Sequence, residues 1–439
     1  MGTLEKIYKL FIKMNQRISI DSRESSIKNS IFFGIKGPNF NGNHYAKDAL
    51  KNGAKYAIVD EIIEQNNNKI IQVNNTIETL QKLAITHRKS WFKKDKYIIG
   101  ITGTNGKTTT KDILNNIMCS KFNTYCTKGN LNNHIGVPLT ILALKKEHQF
   151  GIIELGANQN GDIKQLCNIA QPTHGIITNI GEAHLEGFKS MKNIKQTKNE
   201  LYDYIKLNNG TLFVNQQDQT LLALLKQYPK TIFYNCFYLN KKYKPDDINF
   251  YFNCTPFINL YFRKLKIKTK LIGNYNAYNI AASITIANYF GVDFENINKT
   301  LNKIELKNNR SELINTKNNE IILDAYNANP TSLSLAIQSF YELLKTRDLK
   351  DSLIILGDML ELGKHSHKNH QKIVDLLEEY NFKNCLLIGQ HFQKTKTHYQ
   401  KIGSTDKCLL LLKKSQPKNK TILIKGSRKM QMEKLLDAL

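Results

Sequence analysis

A chain of 439 residues is long enough for about two to four domains with an ample apolar core. At 41% hydrophobic and 23% charged it has a globular composition, no run approaches the ~18 apolar residues of a membrane span, and its seven cysteines include no C-x-x-C pair, which points to reduced thiols and away from a disulfide scaffold. The net charge of +26 comes from lysines scattered among Asn and Ile, with no long basic run, which reads as a compositional drift spread evenly along the chain more than as a nucleic-acid surface, while a positive field would still attract polyanionic small molecules.

Residues 4–11 interleave charged and apolar side chains at helical spacing, as an amphipathic helix on a core does. Ile20-Asp21-Ser22-Arg23 is a polar cluster, read as a turn. A strand follows at 31–35, a helix at 44–51 stopped by Gly53, and another strand at 56–60. A helix over 77–92 leads to Lys93-Lys94-Asp95, the first domain boundary, giving an N-terminal unit of residues 1–95.

Tyr97-Ile98-Ile99-Gly100-Ile101 is a short apolar run, read as a buried strand. The chain turns through Gly103, Asn105 and Gly106, and helical spacing (Ile113, Leu114, Ile117) starts after Lys107-Thr108. A strand, a glycine turn and a helix start make an anion cradle, because backbone N–H groups and the positive helix end face a phosphate that glycine lets approach closely. In such a cradle Lys107 reaches the β- and γ-phosphates and the Thr108 hydroxyl holds Mg²⁺. The spelling is Gly100-x-x-Gly103-x-x-Gly106-Lys107-Thr108; Ile101 stands where the common P-loop pattern has its first glycine.

Residues 127–133 are polar and glycine-bearing, hence a loop. Strands follow at 151–156, carrying Glu154, and at 175–180, ahead of Gly181-Glu182-Ala183-His184. Strands alternating with helices predict a parallel sheet whose C-terminal edge gathers ligands, so the glycine turn, Glu154 and His184 can meet there. Alternation over 260–271 predicts antiparallel strands, and a helix over 277–290 capped by Gly291 ends a unit of residues 96–308. Strands at 321–323, 353–356, 386–388 and 422–424, with helices between, form a further doubly wound unit of residues 309–439. The predicted fold is therefore α/β in three domains: a central P-loop parallel sheet flanked by an N-terminal α/β domain, which the resemblance given below makes a substrate domain, and a C-terminal Rossmann-like domain. Mg²⁺ prefers oxygen ligands, which makes Glu154 a candidate. Taken alone, His184 reads as a structural histidine and Lys198 as a surface helix residue.

GTNGKTT (103–109), ELGA (154–157), TNIGEAHLEGF (178–188) and TKNE (197–200) carry a family resemblance in their order and spacing. The chain resembles the Mur ligases, ATP-dependent amino-acid and peptide ligases of peptidoglycan synthesis. The resemblance implies ATP contacts at Gly103, Thr104, Asn105, Gly106, Lys107, Thr108 and Thr109. It also implies one Mg²⁺ on Thr108 and Glu154, and a second on His184 and a carbamylated Lys198. Lys107, Glu154, His184 and Lys198 are then the catalytic set. Thr197 stands where the family usually has Ala.

Several stretches resemble the last ligase of the family. They are 127–138, with Asn130, Asn132 and Asn133 as nucleotide-sugar contacts; Asp324-Ala325-Tyr326-Asn327-Ala328-Asn329-Pro330, with Ala325 for a serine; Leu356–Gly363; and Lys425-Gly426-Ser427-Arg428. The stretch at 20–23 and those that follow resemble a uridine-binding domain, with Ser22 and Arg23 as substrate contacts. Asn276 and Asn279 match adenine contacts, with Tyr275 in place of the usual histidine. Arg310, Asp324, Tyr326 and Asn327 face ATP by the same resemblance, and Asn329 and the 358–361 loop face the dipeptide or ATP. The implied activity is ATP-dependent joining of D-alanyl-D-alanine to UDP-N-acetylmuramoyl-tripeptide through an acyl phosphate. It implies a cytoplasmic monomer whose partners are these small molecules and ATP, with neither nucleic acid nor membrane. Two other readings are a basic nucleic-acid-binding ATPase, which rests on charge and a P-loop, and a folylpolyglutamate synthase, against which the 327–330 and 425–428 stretches speak.

Overall fold

Three mainly parallel sheets follow one another along the chain, and the fold is α/β as predicted. The computed structural model describes all residues except 1, 64–66, 240–248, 264, 306–308 and 346–350, so the boundary predicted at 308 lies outside the described residues. The first sheet runs Ile18–Ser19, Ile31–Phe33, Tyr56–Val59, Ile70–Gln72, parallel throughout. The second runs Thr231–Tyr234, Thr211–Asn215, His174–Ile177, Tyr97–Thr102, Phe150–Glu154, Thr124–Cys126, also parallel throughout. The third runs Glu312–Asn315, Asn319–Asp324, Lys420–Lys425, Ser352–Gly357, Cys385–Ile388, Gln400–Ile402, with its first strand antiparallel. A smaller sheet of Cys236–Tyr238, Phe250–Cys254, Ile258–Phe262 and Leu265–Lys268 carries the predicted antiparallel alternation: Ile267 is buried between exposed Lys266 and Lys268.

Strand Tyr97–Thr102 is central because Ile98, Ile99 and Ile101 are buried on both of its faces, which suits a parallel sheet covered by helices. On one face Ile98 and Ile153 pack with Leu80, Leu83, Trp91, Val137, Ile141 and Leu201, so helix Thr76–Trp91 shares this core. On the other face Ile99 and Ile101 meet Ile113, Leu114 and Ile117 of helix Lys107–Met118 and Ile280, Ala281 and Ile284 of helix Tyr275–Tyr289. That packing sets the two helices side by side at the glycine turn. The strand's neighbours are Phe150–Glu154 and His174–Ile177, with Ile101 in register with both Glu154 and Ile176. All three strands end at one edge, which gathers 103–106, Glu154 and 178–184.

One reading needs correction. Lys198, taken alone as a surface residue, is 3% exposed. Helix Met191–Leu207 packs against helix Asp162–Ala170 on one side and the central sheet on the other, and Lys198 shares the buried face of Ile194, Leu201, Tyr202 and Ile205. All seven cysteines are free. Among the described residues no helix is long and apolar enough to cross a membrane.

His174, which opens its strand, is boxed by Tyr97, Phe213, Tyr289 and Phe290 at ring-centroid distances of 5.6, 6.2, 5.7 and 4.9 Å. Burial pulls its pKa from 6.5 down to about 4. Between these values the unfolded chain takes a proton that the folded chain refuses. Stability is thus full above about pH 6.5 and falls as the pH drops toward 4, by up to ~3 kcal/mol from this group. We expect urea unfolding midpoints to fall between pH 7 and 5, and His174→Phe to flatten that slope. An unchanged slope in the variant would rule out His174 as its source.

Candidate active site

The turn after Tyr97–Thr102 depends on two glycines in left-handed backbone, Gly103 at φ +144° and Gly106 at φ +81°. A Cβ on Gly103 would overlap Thr178 Oγ1, and one on Gly106 would lie 2.5 Å from Asn279 Oδ1. Residues 178–181 clamp the turn. Thr104 N donates to Asn179 O (2.9 Å) and Thr104 Oγ1 to Gly181 O (3.1 Å). Asn105 N donates to Asn179 Oδ1 (3.0 Å), while Asn105 O accepts from Thr178 Oγ1 (2.6 Å) and Asn179 Nδ2 (2.9 Å). This clamp was legible only as part of the family motif, without a role. Lys107 Nζ folds back onto Gly103 O (2.9 Å) and Thr104 O (3.0 Å). Burial lowers its pKa, Glu154 opposes the shift, and Arg310 adds to it.

Glu154, 2% exposed, has both oxygens engaged: Oε2 accepts from Thr108 Oγ1 (2.8 Å) and Oε1 from Asn132 Nδ2 (2.7 Å). Asn132, predicted to meet the nucleotide-sugar, therefore also aims this carboxylate. Lys198 Nζ makes no hydrogen bond among the described residues and lies 6.0 Å from the centre of the Phe188 ring. Burial pushes its pKa well below the usual lysine range; Lys107 adds to the shift, while Asp162, Glu200 and Glu154 oppose it. A neutral amine can take up CO₂, as an ammonium cannot. Its neighbour Thr197 is buried with its hydroxyl donated to Asn160 Oδ1 (3.0 Å), so the departure from Ala leaves no polar atom unpaired there. His184 Nδ1 lies 2.5 Å from Glu361 Oε2.

Residues of 309–439 close the other wall. The Arg310 guanidinium carbon sits 3.5 Å from the centre of the Tyr326 ring. Lys425, buried, donates to Asp324 Oδ2 (2.5 Å), Asp324 O (3.3 Å) and Asn327 O (3.2 Å). Asp324 Oδ1 accepts from Ser311 N (3.2 Å), and Tyr275 Oη meets Ser311 Oγ at 2.6 Å, a contact that links the two sides. Asn329 caps helix Pro330–Leu344 by accepting from Ser332 N (2.8 Å), and its amide exchanges bonds with that of Asn105 (2.7 and 3.4 Å). Asn276 Nδ2 donates to Ile272 O (2.8 Å), and Asn279 Nδ2 to Asn276 Oδ1 (2.9 Å).

One cavity of about 420 Å³, within the usual range for a small-molecule site, is lined by all of these: 103–109, Asn130, Asn132, Asn133, Glu154, His184, Lys198, Asn276, Asn279, Arg310, Asp324, Tyr326, Asn327 and Asn329. Ser22 and Arg23 do not line it. Arg23 instead forks onto Asp21 through Nε (2.9 Å) and Nη2 (2.8 Å), which pulls the Asp21 pKa down to about 2. Asp358 is turned into its own domain, accepting from His391 N and Phe392 N (both 2.9 Å), while Glu361 of the same loop reaches His184. Among the described residues no three His, Cys, Asp or Glu side chains cluster as a metal site. A hard cation here would take oxygens from Thr108, Glu154 and ligand phosphates, and the Lys198 amine fits such a site once it carries a carboxylate.

The model of the Mur ligase middle domain matches residues 101–287, and that of the Mur ligase glutamate ligase domain matches residues 309–428. The UDP-N-acetylmuramoyl-tripeptide–D-alanyl-D-alanine ligase of Bacillus subtilis is 30% identical to this chain, over 96% of the chain and 92% of that enzyme. This chain belongs to the Mur ligase family. Solved structures of MurF are among its structural relatives. A MurF from Acinetobacter baumannii superposes with a TM-score of 0.81 at 29% identity, over 96% of this chain and 92% of that one. A MurF ligase from Thermotoga maritima, solved in complex with ADP, has a TM-score of 0.81 at 26% identity, over 100% and 98%. Among Mur ligases the present cavity thus sits in a three-sheet frame shared along nearly the whole chain.

Proposed function

We propose that this Mur ligase joins D-alanyl-D-alanine to UDP-N-acetylmuramoyl-tripeptide with ATP, releasing ADP and phosphate. The observation that carries this is the convergence of Lys107, Thr108, Glu154, His184 and Lys198 with Arg310 and Asp324 on one cavity. A carboxylate and an amine need activation to form an amide. The γ-phosphoryl group of ATP passes to the tripeptide carboxylate, giving an acyl phosphate; the dipeptide amine attacks its carbonyl carbon, and phosphate leaves from the tetrahedral intermediate. Phosphoryl transfer depends on positioning and charge neutralisation. Lys107 exchanges the Gly103 and Thr104 carbonyls for β- and γ-phosphate oxygens, and the Thr178–Gly181 clamp holds the turn rigid while it does so. Arg310, stacked on Tyr326, adds a second positive charge. Mg²⁺ held by Thr108 and Glu154, and by His184 and carbamylated Lys198, would supply the remaining neutralisation. Asn276 and Asn279 face adenine. Residues 309–439 shield the acyl phosphate from water.

Division into 1–95, 96–308 and 309–439 is part of this reading, supported by the succession of separate sheets. The first unit holds the uridine end, with Ser22 and Arg23 as contacts and Asn130, Asn132 and Asn133 toward the sugar. The nucleotide precursors and the seven free cysteines suit a cytoplasmic setting.

A coupled phosphate-release assay tests the reading. We expect release only when ATP, Mg²⁺, UDP-N-acetylmuramoyl-tripeptide and D-alanyl-D-alanine are all present, with omission of either peptide lowering the rate at least ~100-fold. Release stimulated by DNA or RNA and independent of the dipeptide would instead favour a nucleic-acid ATPase, with steep salt dependence.

A further inference from the structure

Two side-chain-bearing residues in left-handed backbone meet beside the cavity that His184 lines. His184 has φ +50° and ψ +37°, and Glu361 has φ +65°. Such conformations are disfavoured for residues with a Cβ and persist where the surroundings hold them. Apolar packing does not hold Glu361, whose side chain is 58% exposed. Hydrogen bonds do. Its carboxylate Oε2 is 2.5 Å from His184 Nδ1, and its backbone carbonyl accepts from Glu186 N at 3.2 Å. The loop that presents it is anchored in its own domain: Asp358 binds the backbone at 391 and 392, Leu360 N donates to Ser427 Oγ (2.9 Å), and Ser427 N donates to Asp358 O (3.2 Å). A neutral imidazole that donates Nδ1–H to a carboxylate keeps its lone pair on Nε2, the nitrogen left for the cavity that His184 lines.

We propose that Glu361 is a positioning residue, delivered by the C-terminal sheet, that fixes the tautomer and orientation of His184. It makes that imidazole a competent metal ligand only while 309–439 is seated against the P-loop sheet. This rests on the reading of His184 as a metal ligand. A carboxylate behind a ligating histidine commonly sets ligand basicity and ring angle, and its loss weakens metal affinity about 10–100-fold.

The test uses the full-length chain with a non-hydrolysable ATP analogue and Mn²⁺, followed by electron paramagnetic resonance, for wild type, Glu361→Ala, Glu361→Gln, His184→Ala and the double variant of Glu361→Ala with His184→Ala. We expect Glu361→Ala to weaken one class of bound Mn²⁺ about 10–100-fold, Glu361→Gln to weaken it less because its amide oxygen still accepts, and the double variant to bind no more weakly than His184→Ala. Nucleotide affinity at saturating metal stays within about twofold, and the Mg²⁺ concentration needed for half-maximal ligation rises in parallel. If His184→Ala weakens Mn²⁺ but Glu361→Ala does not, the positioning role is overturned while the ligand reading stands. If His184→Ala leaves Mn²⁺ unchanged, both are overturned. Additive losses in the double variant would also overturn it, since Glu361 would then act by another route.

Discussion

Lys198→Ala is expected to lower ligation by about 10³-fold or more, the scale of losing a group that neutralises transition-state charge, with little change in thermal midpoint. The second half follows from what Lys198 does not do. Lys198 is 3% exposed, and its amine makes no hydrogen bond among the described residues, so its removal strands no partner. The first half follows from what burial does to the amine. Burial drives its pKa well below the lysine range, which favours the neutral amine, and that form can attack CO₂, losing a proton to become a carbamate. That product is an anionic oxygen donor that joins Glu154 and Thr108 in the wall of the cavity, where a hard cation takes oxygen ligands. Added formate or acetate can place a carboxylate in the space the side chain leaves, so partial rescue by millimolar short carboxylates should accompany the loss. Steady-state phosphate release with and without formate measures both. A Lys198→Ala chain that ligates at wild-type rate without additive would remove the carbamate from the mechanism.

Why Lys198 eluded a reading by residue type, while the glycine turn did not, has a physical reason. The turn is local: an apolar run at 98–101, glycines at positive φ and a lysine at the helix start all lie within ten residues. Burial of Lys198 is tertiary. Its signal was present, since Ile194, Lys198, Leu201, Tyr202 and Ile205 fall on one helical stripe, but a lysine on an apolar stripe is ordinarily a snorkelling edge residue. The strands at 124–126 and 70–72 were missed because three residues are too few to show a period. Asn329 and Tyr275 were noticed as motif positions, yet their partners Asn105 and Ser311 are 224 and 36 residues away, and only the packed molecule pairs them. The parallel sheet edge, by contrast, was legible, because Glu154 and His184 each follow an apolar run of strand length.

Lys107→Ala should cost a further comparable factor, about 10³-fold in the rate of phosphate release, and should also weaken ADP binding. Lys107 Nζ caps two carbonyls of its own turn, Gly103 O and Thr104 O. A phosphate brought to Lys107 also comes near these two carbonyls, which without the ammonium present negative partial charge to a polyanion. The substitution therefore removes an attraction and uncovers a repulsion at the same point, which is why its effect should exceed that of losing one ordinary hydrogen bond. The turn itself should survive, because the Thr178–Gly181 clamp and the two left-handed glycines hold it without the lysine. Lys107→Arg is not expected to rescue: a planar guanidinium cannot sit between two carbonyls shaped around a compact ammonium. Calorimetric ADP titration, phosphate release and a melt on each variant separate these statements. Release within tenfold of wild type for Lys107→Ala would mean that this lysine does not meet the transferred phosphoryl group.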